Sequence, residues 1–310
     1  MEYSIKPKRF GRKENNPLPS KEDNWIIREF MKLYTLNERI ISGLKEAGIN
    51  EAELEAFYII EYVLGLSRSM FFLKKQEEVE KALAEKCLDI AKIRESRKPL
   101  QYILGKQEFM GLTFQVNESV LIPRQETEGL VEEILKHLQP GMKVLDMCTG
   151  SGCIAISLKK YAKEIQVMAA DISTQALHVA KENAISNQTE VTFVESDMFT
   201  NVTGKYDVIV SNPPYIKSDV INTLMTEVKS YEPRLALDGF EDGLYFYRKL
   251  AKEAKDYLNP GGLLCLEIGH DQGLEVATLL EENSFTEVRV EKDLCGLDRN
   301  VYGKIGGSHV

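Results

Sequence analysis

The sequence predicts an α/β fold: a parallel sheet with an antiparallel last strand, preceded by a small helical domain. Three observations carry this. After Pro140-Gly141, short apolar runs alternate with amphipathic stretches five times, as in a sheet built from strand–helix–strand crossovers. The last two runs, Thr286–Glu291 and Asn300–Ile305, are joined by a loop too short for a crossover helix and should pair antiparallel. From Thr35 to Arg97 the apolar residues recur at helical spacing.

In order, residues 1–30 are polar, with seven basic and five acidic residues and no periodicity. They read as a disordered or loosely docked extension, or as the result of an upstream start codon with Met31 as the working one. Residues 31–97 form the helical domain. Ile40, Ile41, Leu44 and Ala47 share a face, and Gly48 suits a stop. Asn50 with Glu53 resembles a capping box for a helix whose face is Leu54, Phe57, Tyr58, Glu61 and Leu64. A short helix is expected over Leu66–Leu73 and a long charged one over Gln76–Arg97, with Glu77–Lys81 as its solvated face. Residues 98–122 read as a linker, with a hairpin around Gly111. Thr127 is the expected cap of a helix running to Leu138. Strands follow at Lys143–Met147, Ile165–Asp171, Val191–Glu195, Tyr206–Ser211 and Leu263–Ile268. Helices are expected at Ser151–Tyr161, Ser173–Ser186, Tyr245–Leu258 and Leu274–Glu282.

Composition excludes several functions. No apolar run approaches the ~20 residues of a membrane span, and the first residues lack the apolar core of a secretory signal, so a cytoplasmic protein is expected. The five cysteines form no C-x-x-C pair and the four histidines do not cluster with them, which reads as reduced thiols and no metal site. His178 and His270 read as structural. A net charge of −9 argues against wrapping duplex DNA, because such binding is driven by Lys and Arg.

The chemistry concentrates at strand ends. Ser211-Asn212-Pro213-Pro214-Tyr215 closes the fourth strand. Two prolines fix the turn and leave carbonyls without intervening donors, and Asn212 is pushed to an extended conformation. The turn therefore offers one amide side chain, bare carbonyl oxygens and an aromatic ring, a set suited to a flat group with two N–H donors. The first strand ends in Asp146-Met147-Cys148-Thr149-Gly150-Ser151-Gly152, where glycines admit a ligand to a helix N-terminus. Asp171 ends the second strand, where a carboxylate accepts both ribose hydroxyls, and Asp197, followed by Met198, sits where it could meet an adenine amino group. Together these outline a nucleoside pocket beside a grip for a planar nitrogen.

These motifs resemble a class I S-adenosylmethionine-dependent methyltransferase with a Rossmann-like sheet, and more closely the HemK/PrmC family of release factor glutamine methyltransferases. The matching pieces are Pro123–Glu128, Thr149–Gly152, Asp171-Ile172-Ser173, Ser211–Ile216, Tyr231-Glu232-Pro233, Asp242-Gly243-Leu244 and Glu267-Ile268-Gly269. Cys148 and Phe240 stand where that family usually has glycine. The resemblance implies that residues 123–310 form the methyltransferase domain and that the helical domain binds substrate. It implies S-adenosylmethionine held by Cys148, Thr149, Gly150, Ser151, Gly152, Asp171, Asp197, Met198 and Asn212. The substrate it implies is the glutamine amide of a Gly-Gly-Gln loop in class 1 peptide chain release factors, held by Asn212, Pro213, Pro214 and Tyr215. It implies Asn212, Pro213 and Tyr215 as the catalytic set, acting through orientation and dipoles. A monomer with no direct nucleic-acid contact is expected.

Three rival readings remain at this level. One is an adenine-N6 nucleic-acid methyltransferase, since the proline turn would also hold adenine. Another is a binding protein that docks release factors or ribosomes without catalysis. The third is an NAD-dependent oxidoreductase, suggested by Gly150-x-Gly152-x-x-Ala155.

Overall fold

The computed structural model describes residues 30–306. The extension expected before Phe30, and His309, lie outside the described residues. The chain divides into two compact units between Lys92 and Ile93.

The first unit begins with β1 (Phe30–Lys32), α1 (Leu33–Glu46), α2 (Ala52–Leu64), α3 (Arg68–Lys74) and β2 (Glu78–Glu80), and ends inside α4 (Lys81–Glu95). Helix α1 buries Leu33, Leu36, Ile40 and Leu44, the 3.6-residue stripe that holds it to α2. Helix α2 departs from expectation. It buries Ala52, Ala56, Ile59 and Ile60, while Leu54 and Tyr58 are exposed. Its sequence is apolar on most sides, so periodicity alone could not select a face. Asn50 does not cap it; the capping position is Glu51, with no side-chain bond. Glu77–Lys81 is not a helix face either. Glu78–Glu80 pairs antiparallel with β1, with Val79 buried between exposed glutamates. A three-residue alternation is too short to stand out within a charged run.

The second unit continues with α5 (Leu100–Leu104) and a hairpin of β3 (Lys106–Phe109) and β4 (Leu112–Gln115). Both turn residues, Met110 and Gly111, have positive φ, as a tight two-residue hairpin turn requires. Then come α6 (Glu126–His137), β5 (Lys143–Met147), α7 (Cys153–Tyr161), β6 (Gln166–Asp171), α8 (Thr174–Ser186), β7 (Thr192–Glu195) and β8 (Tyr206–Ser211). The chain closes with α9 (Thr226–Tyr231), α10 (Tyr245–Glu253), β9 (Leu258–Glu267), α11 (Gly273–Glu282), β10 (Phe285–Lys292) and β11 (Asp298–Ile305). Helix α10 is shorter than expected, and Leu258 opens β9 instead of ending a helix.

Seven strands form one sheet in the order β10-β11-β9-β8-β5-β6-β7. β11 runs antiparallel to both neighbours, and the strands from β9 to β7 are parallel. The α/β expectation, including the antiparallel insertion, holds. Alternate residues feed two cores. Leu145 and Met147 face the side of α10 and α11, and Val144, Val208 and Val210 face α6 and α7. Each such fully buried side chain contributes about 1.5–3 kcal/mol. Chain order reverses at the β5–β8 boundary, so the carboxyl ends of these strands open a crevice there.

Candidate active site

The crevice is a cavity of about 270 Å³. Its wall carries Cys148, Thr149, Gly150 and Ser151 after β5, Asp171 and Ile172 after β6, and Asp197 and Met198 after β7. Asn212 and Pro214 come to it from the end of β8. Gly152, Pro213 and Tyr215 stand back from the wall.

The loop after β5 is organised by Asp146, a fully buried carboxylate in the strand. Its Oδ2 accepts from the Thr149 hydroxyl at 2.6 Å and from the Ala155 N–H at 3.1 Å, tying the loop to the first turn of α7. Burial pushes its pKa up to about 7, opposed by those two donors. Gly152 adopts φ +81°, and a Cβ there would lie 2.9 Å from Ile156 and 3.1 Å from the Ala180 Cβ. Its place is at the packing of α7 on α8, behind the wall. Cys148 has φ +61°, and the apolar surroundings push its thiol pKa well up, so it stays a protonated thiol.

Asp171 faces the cavity. Oδ2 accepts from the Gly150 N–H at 2.8 Å and Oδ1 from the Ser173 N–H at 2.9 Å. Each oxygen retains a lone pair, so the carboxylate can take two further donors. Burial raises its pKa against the N–H groups of Ser173, Gly150 and Ile172. Asp197 is exposed and takes Lys249 Nζ at 3.4 Å. A half-buried carboxylate with two spare acceptor sites, backed by glycine backbone and flanked by Ile172 and Met198, fits the sugar and base of a nucleoside.

The proline turn is clamped from behind. The Tyr215 carbonyl accepts from Gln272 Nε2 at 3.1 Å, and the same amide group donates to the Gly243 carbonyl at 3.3 Å. A Cβ on Gly243 would meet the Tyr215 carbonyl oxygen at 2.5 Å, so only glycine lets this loop lie on the turn. The Ile216 N–H donates to the Leu237 carbonyl, and the Ile216 carbonyl accepts from the Gly239 N–H of the same loop. The Tyr215 ring packs on the α10–α11 side of the core, and burial pushes its phenol up to about 12. Asn212 Nδ2 donates to Thr127 Oγ1 at 3.4 Å. Thr127 is thus a buried residue within the first turn of α6 and not its cap.

Several residues of the site have roles that the sequence did not assign. Arg124 lies on the wall and donates through Nη2 to both oxygens of Glu232 at 2.7 and 2.8 Å. This pair joins two of the matched motifs 108 residues apart. Gln272 had no local signal at all. Asp146 had one, a carboxylate inside an apolar strand. His178 and His270 are exposed and lie off the wall. Among the described residues no His/Cys/Asp/Glu group could hold a metal ion.

Comparison with known proteins agrees with this geometry. Residues 36–105 match the PrmC N-terminal domain family and residues 125–231 the Methyltransferase small domain family. A release factor glutamine methyltransferase of Geobacter sulfurreducens is 41% identical over 290 residues, covering 93% of this chain and 100% of that one. One of Clostridium acetobutylicum is 39% identical over 284 residues, covering 89% and 100%. One of Streptococcus pneumoniae is 42% identical over 277 residues, covering 87% and 98%.

Proposed function

The chain belongs to the release factor glutamine methyltransferase family, and from that premise we propose that it methylates the side-chain amide nitrogen of the glutamine in a Gly-Gly-Gln loop of class 1 release factors, with S-adenosylmethionine as donor. The observation that carries the reading is Asn212. Its side-chain amide, bonded to Thr127 of α6 and followed by a proline pair, lines the same cavity as Asp171 and the loop after β5.

S-adenosylmethionine brings a methyl group on a positively charged sulfur. Asp171 would hold its ribose and Asp197 its adenine amino group, with the backbone of residues 148–151 alongside. An amide nitrogen is a weak nucleophile because its lone pair is delocalised. Asn212 Oδ1 and the Pro213 carbonyl accept its two N–H bonds, orient it and favour the positive charge that develops as it takes the methyl. Pro213 would act through its backbone carbonyl. Tyr215 shapes the turn that presents Asn212 and Pro214. No titrating base is required, since the proton leaves after transfer. The helical domain, residues 31–97, engages the release factor, and residues 98–122 link it to the catalytic domain. The protein acts in the cytoplasm as a monomer, without direct nucleic-acid contact.

The test is incubation of the chain with labelled S-adenosylmethionine and, separately, a class 1 release factor, its loop Gln→Ala variant, and DNA. Label on the intact release factor alone is expected. Label on DNA would select adenine methylation instead, because the proline turn suits both planar nitrogens.

A further inference from the structure

The acid that ends β9 has no role in the mechanism above. Glu267 is 2% exposed, and its Oε2 has no hydrogen-bond partner among the described residues. Burying a carboxylate costs several kcal/mol, so its presence calls for a reason. Register places it. Parallel β8 and β9 pair Ser211 with Leu266, and one step further sets Asn212 beside Glu267. Thr127, also 2% exposed, stands against both. Its Oγ1 accepts the Asn212 Nδ2–H at 3.4 Å, and the Thr127 hydroxyl and Asn212 amide both lie near enough to the Glu267 carboxyl to favour its charged form, against a burial that pushes it up to about 7.

The direction of these bonds matters. Above about pH 7, where it is ionised, the Glu267 carboxylate only accepts. Thr127 has one hydroxyl hydrogen, and giving it to Glu267 leaves Oγ1 as an acceptor alone. Asn212 must then turn its NH2 toward Thr127 and Glu267, which sends Oδ1 the other way. An amide side chain is nearly symmetric in shape, so packing alone cannot distinguish its two ends; only the bonding network can.

We infer that Glu267, with Thr127 as relay, is a positioning residue that fixes which end of the Asn212 amide faces the cavity. The inference rests on the role proposed for Asn212 in methyl transfer. Replacing the acid by an amide adds a donor at the wrong place: the new NH2 can donate to Thr127 Oγ1 or to Asn212 Oδ1 and stabilise the flipped form.

The experiment uses the full chain as wild type, Glu267→Gln, Thr127→Val and Thr127→Ser. Transfer from labelled S-adenosylmethionine to a class 1 release factor is measured, with cofactor affinity by calorimetry and thermal unfolding alongside. Glu267→Gln and Thr127→Val are expected to lose about 10²-fold in kcat, the scale of a misplaced reacting group, at unchanged cofactor Kd. Thr127→Ser, which keeps the hydroxyl, recovers most of the rate. Wild-type kcat in Glu267→Gln and Thr127→Val overturns the inference. So does a loss that follows cofactor affinity or melting temperature, or a Thr127→Ser as slow as Thr127→Val. If Glu267→Gln does not fold, the Thr127 pair decides by the same criteria. A folded wild type that labels no release factor overturns the proposed function itself, which separates the two failures.

Discussion

At the residue scale, Asn212 and Asp171 divide the labour of the cavity, and substitutions should separate them. Asn212→Ala removes an acceptor for the reacting amide but leaves the Gly150 and Ser173 bonds to Asp171 in place. Transfer should fall by about 10²–10³-fold, as when a single transition-state hydrogen-bonding group is lost, with S-adenosylmethionine affinity nearly intact. Asp171→Ala should instead weaken cofactor binding, with calorimetry as the measure. Turnover close to wild type in Asn212→Ala would remove that residue from the chemistry. Both residues were legible in the sequence because each sits at a strand end beside a breaker, where side chains are exposed to ligand. Glu267 stood in a matched motif without a role, and Gln272 was not legible. Their partners, Asn212 and Tyr215, lie 55 and 57 residues away, and only strand pairing and loop packing bring them together.

At the element scale, two turns carry strain that their sequence announced. Cys148 and Phe240 stand where glycine is usual in the resembling family, and both adopt left-handed backbone, φ +61° and +69°. A side chain in that conformation costs of order 1 kcal/mol. Phe240 also holds a half-exposed ring against Tyr245, 4.5 Å between centroids. Cys148→Gly and Phe240→Gly are each expected to raise stability by about 0.5–1 kcal/mol after the entropy cost of glycine. Chemical denaturation is the check, and destabilisation by both variants would show that side-chain packing outweighs backbone strain. The parallel strands and their crossover helices were legible because their patterns span whole elements. The face of α2 was not, because its composition is apolar nearly all round, and β2 was not, because three residues cannot establish a period.

At the scale of the whole molecule, the second unit is stitched together by ion pairs between distant segments. Arg94 and Arg97, at and just beyond the end of α4, converge on Glu227 of α9 at 3.0 and 2.7 Å. Burial raises the Glu227 pKa, but hydrogen bonds from Arg97 and Arg94 outweigh it, and the group titrates below its ordinary 4.5. A lowered folded pKa stabilises above the unfolded value and the stabilisation is lost as pH falls through the folded one. Glu227→Gln should therefore cost about 1–3 kcal/mol near neutral pH, and its deficit should shrink below pH ~4.5. Thermal unfolding of both proteins across that range checks this, and a deficit independent of pH would remove the carboxylate charge as its cause. The sequence by itself determined the sheet's strand–helix order, its antiparallel ending, and the strand ends that carry the chemistry, because these follow from short-range periodicity and from residues that limit the backbone. Only the tertiary structure decided which helix face is buried, which distant side chains clamp the proline turn, and that a buried acid stands beside Asn212. Those depend on register and packing between segments far apart in the chain, where local pattern carries no information.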